Sequence, residues 1–396
     1  MNRPNILIFC TDQQRADHLG CAGQELLKTP NIDALAEEGV RFDSAYCSSP
    51  ACMPARATMF TGLTQRGNNM RQHGLELPEE IPTLPGVLAA AGYCTHSVGK
   101  LHLKPWAPPF PGVDLDAIET PRSNPERRMH WPRFDLRKAP DDYYGFQTQD
   151  MVIGHGNYAT VGGDYAVWLK EIAPGASEQY RSGVGSLELD PDLHYNKWIA
   201  DRSIDFLKQQ TDERPFFLWC SFPDPHTPFA ALADYADLYR AEDMPLAPNA
   251  VELPCSGQAA ALAELQGNGP LKLQRRDADR LRESTRQIFG MMTHMDDQVG
   301  RVMSALQEAG LAENTIVVWI SDHGEQLGEL GGMHKGLFPY DGSTRIPFII
   351  NVPWAKTRGR VVREPVSQID LAPTLLDLAG VEQPDDPRLT PEQREH

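Results

Sequence analysis

Four short apolar runs in this chain each break off into chemically versatile side chains. Residues 5–11 (NILIFCT) stop at Asp12 and Gln13, and residues 94–98 (CTHSV) lead into Gly99, Lys100 and His102. Residues 215–221 (PFFLWCS) empty into a proline-braced loop, PDPHTP at 223–228, which carries His226. Residues 315–320 (TIVVWI) end at Ser321, Asp322, His323 and Gly324. Continuous apolar runs of this length read as strands buried on both faces of a parallel sheet. Helical patterns separate them: 30–38, opened by Thr29 and closed by Gly39; 81–91, stopped by Gly92; 193–209; a long one at 273–309, stopped by Gly310; and 371–379. Residues 40–46 and 346–352 add two further strands. This alternation predicts an α/β fold with a doubly wound, mostly parallel sheet and helices on both faces. The carboxyl ends of such strands share one edge, where ligands bind, so the four polar clusters are expected to converge.

The stretch 47–62, CSSPACMPARATMFTG, adds a reactive residue to that edge. Pro54 suits the first turn of a helix and residues 55–60 can continue it, which places Cys52 at a helix N-terminus with Arg56 one turn on, on the same face. A helix N-terminus beside a guanidinium is an anion site and lowers a thiol's pKa. A lone cysteine at a helix start is more often buried and inert. Asp12, Gln13, Asp322 and His323 together offer two carboxylates, an amide oxygen and an imidazole, a donor set for a hard or borderline divalent cation. Singly, each has a bland explanation as a turn cap, a surface turn or a core histidine.

A formal net charge of −17 excludes a nucleic-acid or anionic-membrane partner as the first reading, and it requires locally placed cations if the substrate is an anion. Seven cysteines without regular spacing do not form a disulfide framework, and the N-terminus shows no signal peptide or membrane span. The expected location is therefore cytoplasmic, or periplasmic if a leader has been trimmed. Residues 1–380 read as one catalytic domain, with 381–396 as a charged tail. Within the domain, 105–190 is dense in proline, glycine and aromatic residues and reads as an irregular, substrate-shaping insertion. Met291, Met292 and Met295 are expected in the core. Trp106, Trp131 and Trp168 are expected to pack rather than to form a cation cage, Glu325 and Glu329 to lie on a solvated face, and His73 and His334 to approach the substrate.

These motifs together resemble the formylglycine-dependent sulfatases of the alkaline phosphatase superfamily. PNILIFCTDQQ, CMPARATMFTG, GYCTHSVGKLHL, SDHGEQLG and YDGSTRIPFII carry the resemblance, which runs from Pro4 to about Gly380. It implies that the cysteine of the C-x-P-x-R motif, Cys52, is oxidised by a formylglycine-generating maturation enzyme to an aldehyde whose gem-diol attacks a small-molecule sulfate ester. It also implies that Asp12, Gln13, Asp322 and His323 hold one divalent cation with the modified Cys52. Calcium is the first candidate and manganese the alternative, because of the histidine ligand. Arg56, Lys100, His102, His226 and Lys335 become the remaining catalytic residues. The Gln13 and His323 pairings are more similar to the bacterial choline-sulfatase and phosphonate monoester hydrolase branch. Lys100 and His102 favour sulfate esters over the alternative, phosphonate monoester or phosphodiester hydrolysis. A non-catalytic homologue with unmodified Cys52 is the third reading. The small C-terminal subdomain of relatives is expected to be shortened or absent, and a homo-oligomer is compatible with the sequence.

Overall fold

A computed structural model describes residues 3–106, 120–180, 183–211, 213–247, 249–250, 277–335 and 339–384. The expected start of the long helix at 273–276, and 385–396 of the expected tail, lie outside the described residues. The strands are β1 (Asn5–Thr11), β2 (Val40–Phe42), β3 (Ala45–Tyr46), β4 (Cys94–Gly99), β5 (Thr148–Met151), β6 (Phe216–Ser221), β7 (Thr315–Ser321), β8 (Arg345–Ile346), β9 (Phe348–Asn351), β10 (Arg360–Val362) and β11 (Val366–Ser367). The principal helices are α1 (Pro30–Glu38), α2 (Cys52–Thr61), α3 (Leu84–Ala90), α4 (Asp164–Ile172), α5 (Tyr195–Leu207), α6 (Ala278–Glu308) and α7 (Leu371–Leu378).

Eight strands form the main sheet in the order β10-β2-β9-β7-β1-β6-β4-β5, and β11-β3-β8 form a small second one. In the main sheet only β9 is antiparallel to its neighbours. The chain therefore has the expected α/β architecture, with a mostly parallel sheet. The runs at 40–46 and 346–352 each divide between the two sheets instead of forming one strand. In the second case the break falls at Pro347, which has no N–H to donate to a ladder.

The continuous apolar character of β1 follows from burial on both faces. Leu7 and Phe9 pack with Trp198 and Ile199 of α5 and with Met292, Met295 and Val299 of α6. Ile6, Ile8 and Cys10 pack on the opposite face with Ala57 and Phe60 of α2, Leu84 and Leu88 of α3, and Leu375 of α7. Each large apolar side chain so buried stabilises the fold by roughly 1.5–3 kcal/mol.

Within the expected irregular insertion at 105–190, the described residues include a strand and a helix; 107–119 and 181–182 lie outside the described residues. β5 pairs in parallel with β4 at the sheet edge, from His96 opposite Thr148 to Gly99 opposite Met151, and α4 follows it. Asp164, in the first turn of α4, ties the two together by accepting from the N–H groups of Met151 at 2.7 Å and Ala139 at 2.9 Å. An edge strand has one neighbour and tolerates polar residues, so β5 (TQDM) shows no apolar run. Trp131 and Trp168 pack as expected: Trp131 is buried with its Nε1 donating to Pro125 O at 2.8 Å, and Trp168 lies against Tyr165 and Trp198. Among the described residues, no helix is long and apolar enough to cross a membrane.

Candidate active site

Strand register brings the polar clusters together. Thr11 lies opposite Ser321, Cys10 opposite Ser221, and Ser221 opposite Gly99, so the next residues leave the sheet at nearly the same level. Hydrogen bonds continue past the strand ends, from Asp322 N to Thr11 O, from Lys100 N to Ser221 O and from Asp12 N to Asp224 O, each at 3.1 Å. Two glycines permit the crowding. A Cβ on Gly99, whose φ is +96°, would stand 1.9 Å from Ser221 O, and one on Gly324 would stand 2.1 Å from Gly342 O.

Helix α2 begins at Cys52, after Ala51 in extended conformation, and buries every one of its residues. Arg56 is fully buried beneath the four strand ends. Its Nε donates to Asp322 Oδ2 at 2.8 Å, Nη1 to Lys100 O at 2.8 Å and to Ser221 Oγ at 3.0 Å, and Nη2 to Asp12 Oδ2 at 3.4 Å. All three guanidinium nitrogens are thus engaged in positioning β1, β4, β6 and β7 relative to one another. Burial and Asp12 push the Cys52 thiol up, but Lys100, Lys335 and His323 outweigh them and bring it below its ordinary value.

Ligand atoms of Asp12, Cys52, Asp322 and His323, all buried, lie within 4.8 Å of one another. Cys52 Sγ is 3.6 Å from Asp12 Oδ1 and 3.2 Å from His323 Nε2, while His323 Nε2 is 3.7 Å from both Asp12 Oδ1 and Asp322 Oδ1. The His323 Nδ1 donates to Gly324 O at 2.9 Å, which leaves the Nε2 lone pair for the cluster. Gln13 has φ +66°, a strained value for a residue with a side chain, and its Oε1 is buried without a hydrogen-bond partner. Gln13 follows Asp12 and its backbone N–H donates to Asp322 Oδ1 at 3.0 Å, and an orphaned amide oxygen added to two carboxylates and an imidazole nitrogen makes a donor set that fits a divalent cation. Asp12 pairs with Lys100 Nζ; burial alone would raise its carboxyl, but Lys100, His226, Arg56 and Lys335 hold it well below the usual carboxylate range.

A cavity of about 390 Å³ opens over this cluster, lined by Cys52, Lys100, His102, Trp106, His226 and Lys335 among others. Lys335 Nζ donates to Cys52 Sγ at 2.6 Å and stands 3.0 Å from His226 Nε2 and 3.2 Å from His323 Nε2. Burial works against its charge, but Cys52, Asp12 and Asp322 raise its pKa. The His226 Nδ1 lies 2.6 Å from Thr227 O, and burial, His155 and Lys335 keep the ring neutral. His102 is also neutral, through burial, Lys100 and His73, and both of its ring nitrogens are buried without partners. A larger cleft of about 950 Å³ near Tyr143, Tyr144 and Val381 contains no such cluster among the described residues.

All the expected site residues therefore meet at one sheet edge. His73 lines the cavity, as expected, whereas His334 is half-exposed and packs against Phe229. Trp106 is also in the cavity wall, but Lys100 Nζ already lies 5.6 Å from its ring, which disfavours a cage for a substrate cation. The solvated face expected for Glu325 and Glu329 is not found: Glu325 is 1 % exposed, and Glu329 pairs with Arg15 at 3.3 Å. Burial there comes from residues remote in sequence, so nothing local signals it. His155, whose ring packs against that of His226 at 3.5 Å between centroids, carried no motif to mark it. Nor did Glu126, which accepts from the backbone N–H groups of His102, Leu103 and Lys104 at 2.5, 2.8 and 3.0 Å.

Residues 4–381 match the family model described as Sulfatase. An arylsulfatase of Clostridium perfringens is 31 % identical over an alignment of 398 positions that covers 97 % of this chain and 76 % of that protein. A choline-sulfatase of Rhizobium meliloti is 28 % identical, covering 96 % of this chain and 68 % of its own length. In fold, the chain is similar to a phosphonate monoester hydrolase of Agrobacterium radiobacter, with a TM-score of 0.73, 24 % identity, and coverage of 96 % and 74 %.

Proposed function

The chain belongs to the sulfatase family and is a sulfuric ester hydrolase; from that premise we propose that it cleaves sulfate monoesters to alcohol and inorganic sulfate at the Cys52 cluster. In this reading a maturation enzyme converts Cys52 to formylglycine, and Asp12, Gln13, Asp322 and His323 hold one divalent cation. The observation that carries it is the convergence of ligand atoms of Asp12, Cys52, Asp322 and His323 within 4.8 Å beneath a cavity that also presents Lys100 and Lys335. The oxygen-rich donor set favours calcium, and the imidazole nitrogen keeps manganese as the competitor.

When bound, the cation and the hydrated aldehyde supply Lewis acidity and a hydroxyl nucleophile at neutral pH. The chain's own residues supply the rest. Lys100 and Lys335 place two positive charges at the cavity of a protein whose net charge is −17, and so attract the sulfate group and stabilise charge on its departing oxygen. Lys335, whose charge Asp12 and Asp322 sustain, and neutral His226 3.0 Å away form the pair that delivers a proton to the leaving alcohol. His102, neutral and with both ring nitrogens free, is the base for regenerating residue 52.

Rates on an aryl sulfate, a phosphonate monoester and a phosphodiester, measured on cation-loaded protein, test this reading. The sulfate ester is expected to react fastest. Faster phosphodiester or phosphonate turnover assigns the site to the alternative hydrolase chemistry. No turnover of any of the three by fully converted protein assigns it to binding without catalysis.

A further inference from the structure

Glu325 follows the Asp322-His323-Gly324 turn and is buried, yet it belongs to neither the ligand cluster nor the cavity wall. Its carboxylate accepts three hydrogen bonds. Oε2 accepts from Gln13 Nε2 at 2.5 Å, and Oε1 accepts from the backbone N–H groups of Leu327 at 2.8 Å and His334 at 2.5 Å. The His334 Nδ1 is 3.6 Å from Oε2, and Arg15 Nη1 donates to the Glu325 carbonyl oxygen at 2.8 Å. One side chain therefore joins Gln13, on the loop after β1, to the base of the segment that carries Lys335.

An amide has a donor end and an acceptor end, whereas an ionised carboxylate only accepts. By taking the NH2 end of Gln13, Glu325 leaves Oε1 as the other end, and that atom is the buried one without a partner. The backbone of Gln13 is held as firmly, with φ at +66° and its N–H donating to Asp322 Oδ1 at 3.0 Å. We propose that Glu325 is a positioning residue that sets the polarity of the Gln13 amide, so that the divalent cation meets an oxygen rather than an NH2 group. This rests on the reading that Gln13 is a ligand of that cation.

The substitution E325Q tests the idea because it preserves shape and changes only donor and acceptor character. The new amide can keep its oxygen toward Leu327 and His334, satisfying two backbone donors, and turn its NH2 toward Gln13. The opposite orientation would face two N–H groups with a donor in order to satisfy one, so the first is favoured. Gln13 must then flip, presenting NH2 where its orphaned oxygen stood. Changing Gln13 to a carboxylate in the same protein, Q13E/E325Q, restores both the hydrogen bond and the oxygen.

Calcium and manganese binding to metal-free full-length protein, followed by titration calorimetry with thermal melting of each variant as a check on folding, supplies the readout. Wild type is expected to bind one cation and E325Q to bind it about 10–100-fold more weakly, the usual scale for losing such a support. Q13E/E325Q is expected to return to within a few-fold of wild type. E325Q that folds and binds as tightly as wild type overturns the inference alone. Wild type that takes up no cation overturns the underlying reading and the inference with it. If E325Q does not fold, the double variant decides: folded and binding supports the assignment, folded and not binding overturns it.

Discussion

The Lys335 ammonium lies 2.6 Å from Cys52 Sγ, across 283 residues of sequence, and donates toward the same atom that His323 Nε2 approaches at 3.2 Å. Two elements thereby define the reacting position, the N-terminus of α2 and the segment after β7. The helix end contributes the residue to be converted, and the segment contributes a charge that the buried carboxylates of Asp12 and Asp322 sustain.

Removing that charge should affect chemistry more than folding. Lys335→Ala is expected to lower kcat on an aryl sulfate by about 10²–10³-fold, the range for deleting one electrostatic contact to a transition state. Its melting temperature should stay close to that of wild type. Unchanged kcat would remove Lys335 from the mechanism.

Arg56 behaves in the opposite sense, because it lies beneath the site and holds it together. Arg56→Ala leaves Asp12 and Asp322 buried without the guanidinium between them, and breaking a buried pair in this way costs about 3–5 kcal/mol. Urea denaturation of the metal-free proteins measures the loss. A difference under about 1 kcal/mol would show that Arg56 does not hold the strand ends together.

The strand ends and the C-x-P-x-R turn were legible in the sequence because the signals are local: an apolar run, an abrupt polar stop, a proline in a first helical turn. Register then aligns the ends, and no single segment encodes register. Lys335 was legible only through family resemblance, since nothing in its neighbourhood distinguishes it from a surface lysine. Glu325 was misread because a glutamate after a glycine turn normally faces water. Here Gln13, more than three hundred residues earlier, covers it. β5 escaped notice because an edge strand does not need an apolar run, and His155 because its marks are spatial, the rings of His226, Trp106 and Tyr158 packed against it.

Acid should destabilise the protein partly through His294, which packs between the rings of His194 and Tyr235. Burial and Arg301 push its pKa from 6.5 down to about 3. Between those values the unfolded chain binds a proton that the folded chain does not. The stability contributed by neutral His294 is therefore complete above pH 6.5 and is lost as pH falls toward 3. At pH 5 the loss amounts to about 2 kcal/mol relative to pH 7. His294→Phe should show a shallower fall over that interval in denaturation curves; an identical fall in both proteins contradicts the assignment.

Cation binding should appear as stability independent of turnover. At a free concentration 100 times Kd, calcium or manganese is expected to raise the unfolding free energy of wild type by about 2.7 kcal/mol. A chelator should reverse the gain, and Asp322→Asn should show little of it. Equal stabilisation of that variant would move the cation elsewhere in the molecule.

The chemical state of residue 52 tests the central claim most directly. Mass spectrometry of the Cys52 peptide, from protein produced with and without a formylglycine-generating enzyme, gives the fraction in which the CH2–SH side chain has become an aldehyde, with loss of sulfur and two hydrogens and gain of one oxygen. Aryl sulfate turnover is predicted to rise in proportion to that fraction and to vanish in its absence. Full turnover by protein that retains only the Cys52 thiol would contradict the account.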